Sequence, residues 1–118
     1  MLPDSFHGRR FQLWTYVVGH RQLLLRSNKS ERHANRCEVL FTNVARLDLP
    51  TLIENLEVQL ATKETLPLAA AHLGALDLGD RTVYLIRGRN CLGYVVAGSM
   101  AVKEDDGEYY SPSGLLQS

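Results

Sequence analysis

Residues 10–26, RFQLWTYVVGHRQLLLR, decide the fold class. Phe11, Leu13, Thr15 and Val17 alternate with Gln12, Trp14, Tyr16 and Val18, then Gly19-His20 interrupts, and Gln22-Leu23-Leu24-Leu25 resumes. Successive strand residues point to opposite faces, so the pattern predicts a hairpin with one buried face and one carrying Trp14 and Tyr16. Residues 81–100 repeat the idea: Thr82-Val83-Tyr84-Leu85-Ile86, a Gly88-Arg89-Asn90 turn, then Leu92-Gly93-Tyr94-Val95-Val96-Ala97. Two such hairpins near the two ends of the chain predict a mainly β protein.

Working outward, residues 27–36 (SNKSERHANR) are polar without periodicity and read as an exposed connecting loop, the most basic local stretch. A short strand follows over residues 37–43, continues through Val44 to Leu49, and is closed by Pro50, which has no amide proton. Leu52, Ile53, Leu56 and Leu60 fit a helix face, whereas Leu56, Val58 and Leu60 alternate with Glu57, Gln59 and Ala61 as a strand does. The strand is preferred because a helix leaves Val58 on the polar side, with Glu54-Asn55 as the preceding turn. Residues 67–76 (PLAAAHLGAL) are the best helix candidate, with proline in the first turn and three high-propensity alanines. Asp106-Gly107 is a favoured hairpin turn, and residues 111–118 read as a loop and flexible tail. The expected fold is one domain over residues 1–118, a small antiparallel β-sandwich or partly closed barrel of about seven or eight strands with one short helix. An α+β fold is the alternative.

With 118 residues and 45% hydrophobic content, the chain can build one core without staples. Thirteen Lys plus Arg balance thirteen Asp plus Glu, so the total field attracts neither nucleic acid nor anionic membrane. Residues 1–47 nevertheless hold eight basic and three acidic groups, and residues 48–118 five basic and ten acidic, giving halves of +5 and −5. If that separation persists on the surface, it favours self-association. Cys37 and Cys91 have no metal or redox spacing, so a reduced pair and a cytoplasmic location are expected. No apolar run approaches the roughly 20 residues that cross a bilayer.

Catalytic chemistry finds no coherent set. His33 and Cys37 are four apart, but no further ligand completes a zinc site, so no metal or other cofactor is expected. Cys91 lies near Arg87 and Arg89, which could lower a thiol pKa, but the preferred reading is an inward-facing small apolar residue resuming a strand after a turn. The glycines of residues 88–98 are not followed by a helix and make no phosphate loop; Gly93 and Gly98 read as bulges or close backbone approach. Residues 104–108 (EDDGE) lack the ligand order of a calcium loop. Arg87 and Arg89 beside Tyr84 and Tyr94 resemble a single-strand-binding rim, but the zero net charge and the missing RNP1 pattern argue against nucleic acid.

The expectation is a non-enzymatic binding or accessory protein, of regulatory or immunity type, acting on another protein or on a second copy of itself. Free edges for a homodimer are sought in residues 37–42 or 92–97. The alternative is a small-ligand-binding barrel or enzyme whose pocket is lined by Tyr16, His20, Arg26 and Tyr84. Trp14, Arg87 and Arg89 complete the candidate binding residues.

Overall fold

The computed structural model describes residue 6, residues 8–61 and residues 79–115. Nine strands run in chain order: β1 (Arg10–Val17), β2 (Gln22–Ser27), β3 (Arg36–Thr42), β4 (Arg46–Asp48), β5 (Leu52–Glu54), β6 (Glu57–Leu60), β7 (Thr82–Gly88), β8 (Cys91–Ala97) and β9 (Ser99–Asp105). They form two antiparallel sheets, ordered β5-β1-β2-β3-β9 and β4-β8-β7-β6, with no closed barrel. The mainly β, small-sandwich expectation therefore holds. Among the described residues helical conformation is confined to 3-10 turns, at Phe6 and over Val18–His20. The helix expected at residues 67–76 lies outside the described residues.

Each hairpin anticipated from alternation supplies the centre of one sheet: β1 and β2 the first, β7 and β8 the second. Arg21, at φ 51°, closes the first turn. Residues 52–60 are two short strands of different sheets, hinged at Asn55 with φ 63°, which bears out strand over helix. The alternation in β1 is broken in one place. Leu13 pairs with Leu25 but Thr15 pairs with Leu24, so a bulge sits at Trp14. Trp14 thereby keeps to the outer face with Gln12 and Thr15, while Tyr16, opposite the core residue Leu23, shifts to the inner side.

Leu23, Leu25, Cys37, Val39 and Phe41 of the first sheet meet Tyr84, Ile86, Val95 and Ala97 of the second, and Phe11 and Ile53 extend this core. Phe41 and Tyr84 make the cross-sheet aromatic contact, edge to face at 5.3 Å. Gly93 is required by a close approach: a Cβ there would overlap the Asp48 carbonyl of β4. Both cysteines are free thiols. Burial raises Cys37 to about 11 and pushes Cys91 upward, the opposite of activation by Arg87 and Arg89.

Three expectations need correction. Residues 37–42 and 92–97 are not free edges, because β3 lies between β2 and β9 and β8 between β4 and β7. Residues 106–110 do not return as a strand after a hairpin turn; the chain leaves β9 and crosses the outer face of the first sheet. The loop of residues 27–36 is shorter than expected, since Ser27 and Arg36 end buried strands.

Candidate binding surfaces

Every residue of β2, and β3 from Arg36 to Phe41, is buried, so the outer face of the first sheet is covered although it carries charge. Register explains the charged set: Arg26 lies opposite Glu38, and Arg36 opposite Asp105. Arg26 Nε donates to Glu38 Oε2 at 2.9 Å, and the two side chains are 2% and 0% exposed. Arg36 donates through Nε and Nη2 to the two oxygens of Asp105 at 2.8 and 2.9 Å. Its remaining donors reach the carbonyls of Glu108, Ser111 and Pro112. Ser113 Oγ donates to Glu38 Oε1, and Arg26 Nη1 to the Tyr109 carbonyl. Gly107 lies so close to the Arg36 guanidinium that a Cβ there would overlap it.

These contacts explain why residues 106–110 are not a strand: Arg36 and Arg26 collect the carbonyls that a hairpin would have paired. Residues 111–113, expected within the tail, are held by the same groups. Lys29 to Glu108 at 2.8 Å and Arg10 to Glu54 at 3.5 Å also pair the basic half with the acidic half. The charge separation of the sequence is thus partly consumed inside the fold.

Arg36 holds the Asp105 carboxyl below its ordinary 3.8 through hydrogen bonds, against a smaller opposing effect of burial. A carboxyl whose folded pKa is depressed contributes stability above its unfolded pKa and loses it as pH falls through the folded value. Wild type should therefore lose stability from about pH 4 downward, and Asp105→Asn, weaker at neutral pH, should lose less over that window. Thermal midpoints at neutral pH and near pH 3 decide it; parallel losses in both proteins would remove Asp105 from the account.

On this anchored segment stands an aromatic ladder. The Arg26 guanidinium lies 4.3 Å from the Trp14 ring centre. Trp14 meets Tyr109 edge to face at 5.0 Å, and Tyr109 meets Tyr110 at 4.8 Å. Trp14 is half-buried, Tyr109 is 48% exposed and Tyr110 is 90% exposed. The bulge aims Trp14, Arg26 fixes it from below, and the tyrosines carry the surface into solvent.

A second surface, a cleft, is built at the neighbouring end of the sheet. Gly8, Arg9, Arg10, Arg32, Glu54, Asn55 and Arg89 surround a cavity of about 180 Å³. A larger one of about 490 Å³ shares Gly8, Arg10 and Arg32 and adds Ser27, Asn28, Ser30, Glu31 and His33. Its parts are positioned by local bonds. The β7–β8 turn is latched to β5: Arg89 N–H donates to the Glu54 carbonyl, and Asn90 bonds Glu54 N–H and the Leu52 carbonyl. Ser30 and His33 exchange backbone hydrogen bonds, and Arg32 N–H donates to Ser30 Oγ. Arg9, 2% exposed, ties the base of this loop to Ser27 and Asn35.

Positive charge predominates in the cleft, with four arginines against Glu31 and Glu54. Arg10 has a single 3.5 Å contact with Glu54, while the Arg32 and Arg89 guanidiniums have no acceptor among the described residues. His33 is pushed below its usual value, first by burial and then by the charges of Arg9 and Arg32. The Asn28 amide is buried with neither its nitrogen nor its oxygen bonded. A buried polar group without a partner costs about 1–3 kcal/mol.

Of the residues singled out from sequence, Trp14 and Arg26 are brought together, and Arg89 lines the cleft. The rest do not converge. Tyr84 is in the core against Phe41, His20 is exposed in the 3-10 turn, Tyr16 is 37% exposed on the inner side, and Arg87 is exposed in register with Glu57. Without barrel closure there is no mouth for Tyr16, His20, Arg26 and Tyr84 to share. Sequence reasoning missed Tyr109, Tyr110, Arg10 and Arg32, which act through contacts distant in the chain; the basic character of residues 27–36 was the one available signal. Among the described residues no group of three His, Cys, Asp or Glu is placed to hold a metal ion, and no helix is long and apolar enough to cross a membrane. Compared with family models, curated proteins and solved structures, the chain matches none.

Proposed function

We propose that the protein is a non-enzymatic binding module that engages another protein through the Trp14–Tyr109–Tyr110 ladder. The observation that carries this reading is an aromatic row standing in solvent on a fully hydrogen-bonded base. Tyr and Trp are enriched among the residues that dominate protein interfaces because their rings bury large area with only two rotatable bonds to fix, and a rigid base lowers the ordering cost further. The thiols, both pushed away from the thiolate, give no support to nucleophilic chemistry. An accessory, regulatory or immunity-type role belongs to this class of action.

The partner is a different protein or a second copy of this chain. Parallel affinity capture and sedimentation with wild type and Tyr110→Ser test the reading. Tyr110 is exposed, so the substitution should leave the thermal midpoint unchanged, within about 0.5 kcal/mol of wild-type stability. The expected result is a stoichiometric partner held by wild type and lost, by about tenfold or more in affinity, in the variant. A doubled mass that Tyr110→Ser abolishes identifies the partner as self. A partner retained equally by both proteins, or none with a monomeric mass throughout, refutes the ladder as the binding surface.

A further inference from the structure

We propose that the arginine cleft is a separate binding site for a phosphate monoester of a small molecule, its phosphoryl group held by Arg10, Arg32 and Arg89 and its polar body lying in the larger cavity beside Ser30. Two independent observations converge on that chemistry. The first is charge. Around the two joined cavities four arginines face two carboxylates, Glu54 and Glu31; Arg10 is set against Glu54, and Arg32 and Arg89 have no acceptor among the described residues. Two uncompensated cations match a phosphate monoester, which carries about −1.5 to −2 at neutral pH, better than they match a carboxylate or a diester with one charge. Planar guanidiniums also suit phosphate oxygens, which accept paired N–H donors.

The second observation is construction. Arg32 sits in a loop stapled by Ser30 and His33, and Arg89 in a turn latched from the other sheet to β5, so the two cations are presented by braced backbone from two sheets. Asn55 accepts the Gly8 N–H on its Oδ1 at 2.7 Å, which ties two residues of the smaller cavity together. The larger cavity, continuous with the smaller through Gly8, Arg10 and Arg32, gives room for the rest of such a molecule. A polymer is disfavoured, because the cations line a cavity rather than a track and the chain has no net charge.

Calorimetric titration at low salt with inorganic phosphate, ribose 5-phosphate and an oligothymidylate tests this, using wild type, Arg32→Gln/Arg89→Gln and Arg87→Gln. Arg87 is exposed on β7 and does not line the cleft, so it controls for the loss of positive charge alone. Expected are one saturable site per chain, ribose 5-phosphate tighter than inorganic phosphate, and a weakening of about tenfold for each guanidinium removed from the cleft. Arg87→Gln should bind as wild type does. Amide shifts mapped on the wild-type protein should centre on residues 30–33 and 89–90, a readout independent of how the variants fold. Absence of saturation, or equal weakening by Arg87→Gln, overturns the site. Inorganic phosphate as tight as the sugar ester overturns the ester, and an oligothymidylate tighter than ribose 5-phosphate puts a nucleic-acid strand in its place.

Discussion

Glu38→Ala is expected to lose about 3–5 kcal/mol of folding free energy, because it leaves the buried Arg26 guanidinium without its counter-charge. Glu38 is fully buried and bonded to Arg26 and Ser113, with Arg36 at 3.9 Å, so one carboxylate serves two strands and the C-terminal segment. Its attraction to Arg26 need not add net stability, since both ions were taken out of water; the loss arises from breaking one side only. The double variant Arg26→Met/Glu38→Leu separates these statements. Replacing the pair by apolar residues of similar volume should recover most of the denaturation midpoint, while residues 109–113 lose two anchors and exchange their amide protons faster. If Glu38→Ala unfolds at the wild-type midpoint, the ion pair is not a structural element. If the double variant keeps the exchange protection of residues 109–113, other contacts hold the ladder.

That arrangement shows what the sequence makes legible. The two hairpins were readable because alternation is a local signal: Leu23 and Leu25 fall on one face and Arg26 on the other whatever lies above them. The strand at residues 57–60 was readable for the same reason, as was the close approach at Gly93, whereas Glu54, expected in the turn before it, ends the short strand β5. The bulge at Trp14 was not, because one extra residue in a strand leaves no mark on composition, yet it parts Trp14 from Tyr16 and so dissolves the patch that simple alternation implied. The fate of residues 106–113 was hidden more deeply. Asp106-Gly107 is a good hairpin turn by local chemistry, and it is Arg36 and Arg26, more than 70 positions earlier in the chain, that redirect the segment after it. The cleft depends likewise on the latch that carries Arg89 across to β5, a tertiary contact with no local signature.

Tyr84 gives the sharpest contrast between the two readings of a site residue. As a pocket-lining tyrosine it would use its hydroxyl; as a core residue it uses its ring, and the structure puts the ring 5.3 Å from Phe41 between the two sheets. Burial also raises the phenol above its usual pKa, so the neutral form is the one the fold keeps. Phe41→Ala should then cost about 3–5 kcal/mol, through lost transfer energy and the cavity left behind, including about 0.5–1.5 kcal/mol of the aromatic pair itself. Tyr84→Phe removes only the hydroxyl, which has no hydrogen-bond partner among the described residues, and should stay within about 0.5 kcal/mol of wild type. Urea denaturation of the two variants measures both. A wild-type midpoint for Phe41→Ala would mean that the sheets are not held together at this contact, and a large loss for Tyr84→Phe would return the hydroxyl to the list of groups with work to do. The expected pattern, a large loss from the ring's partner and almost none from the hydroxyl, makes Tyr84 part of the frame on which the ladder and the cleft are carried.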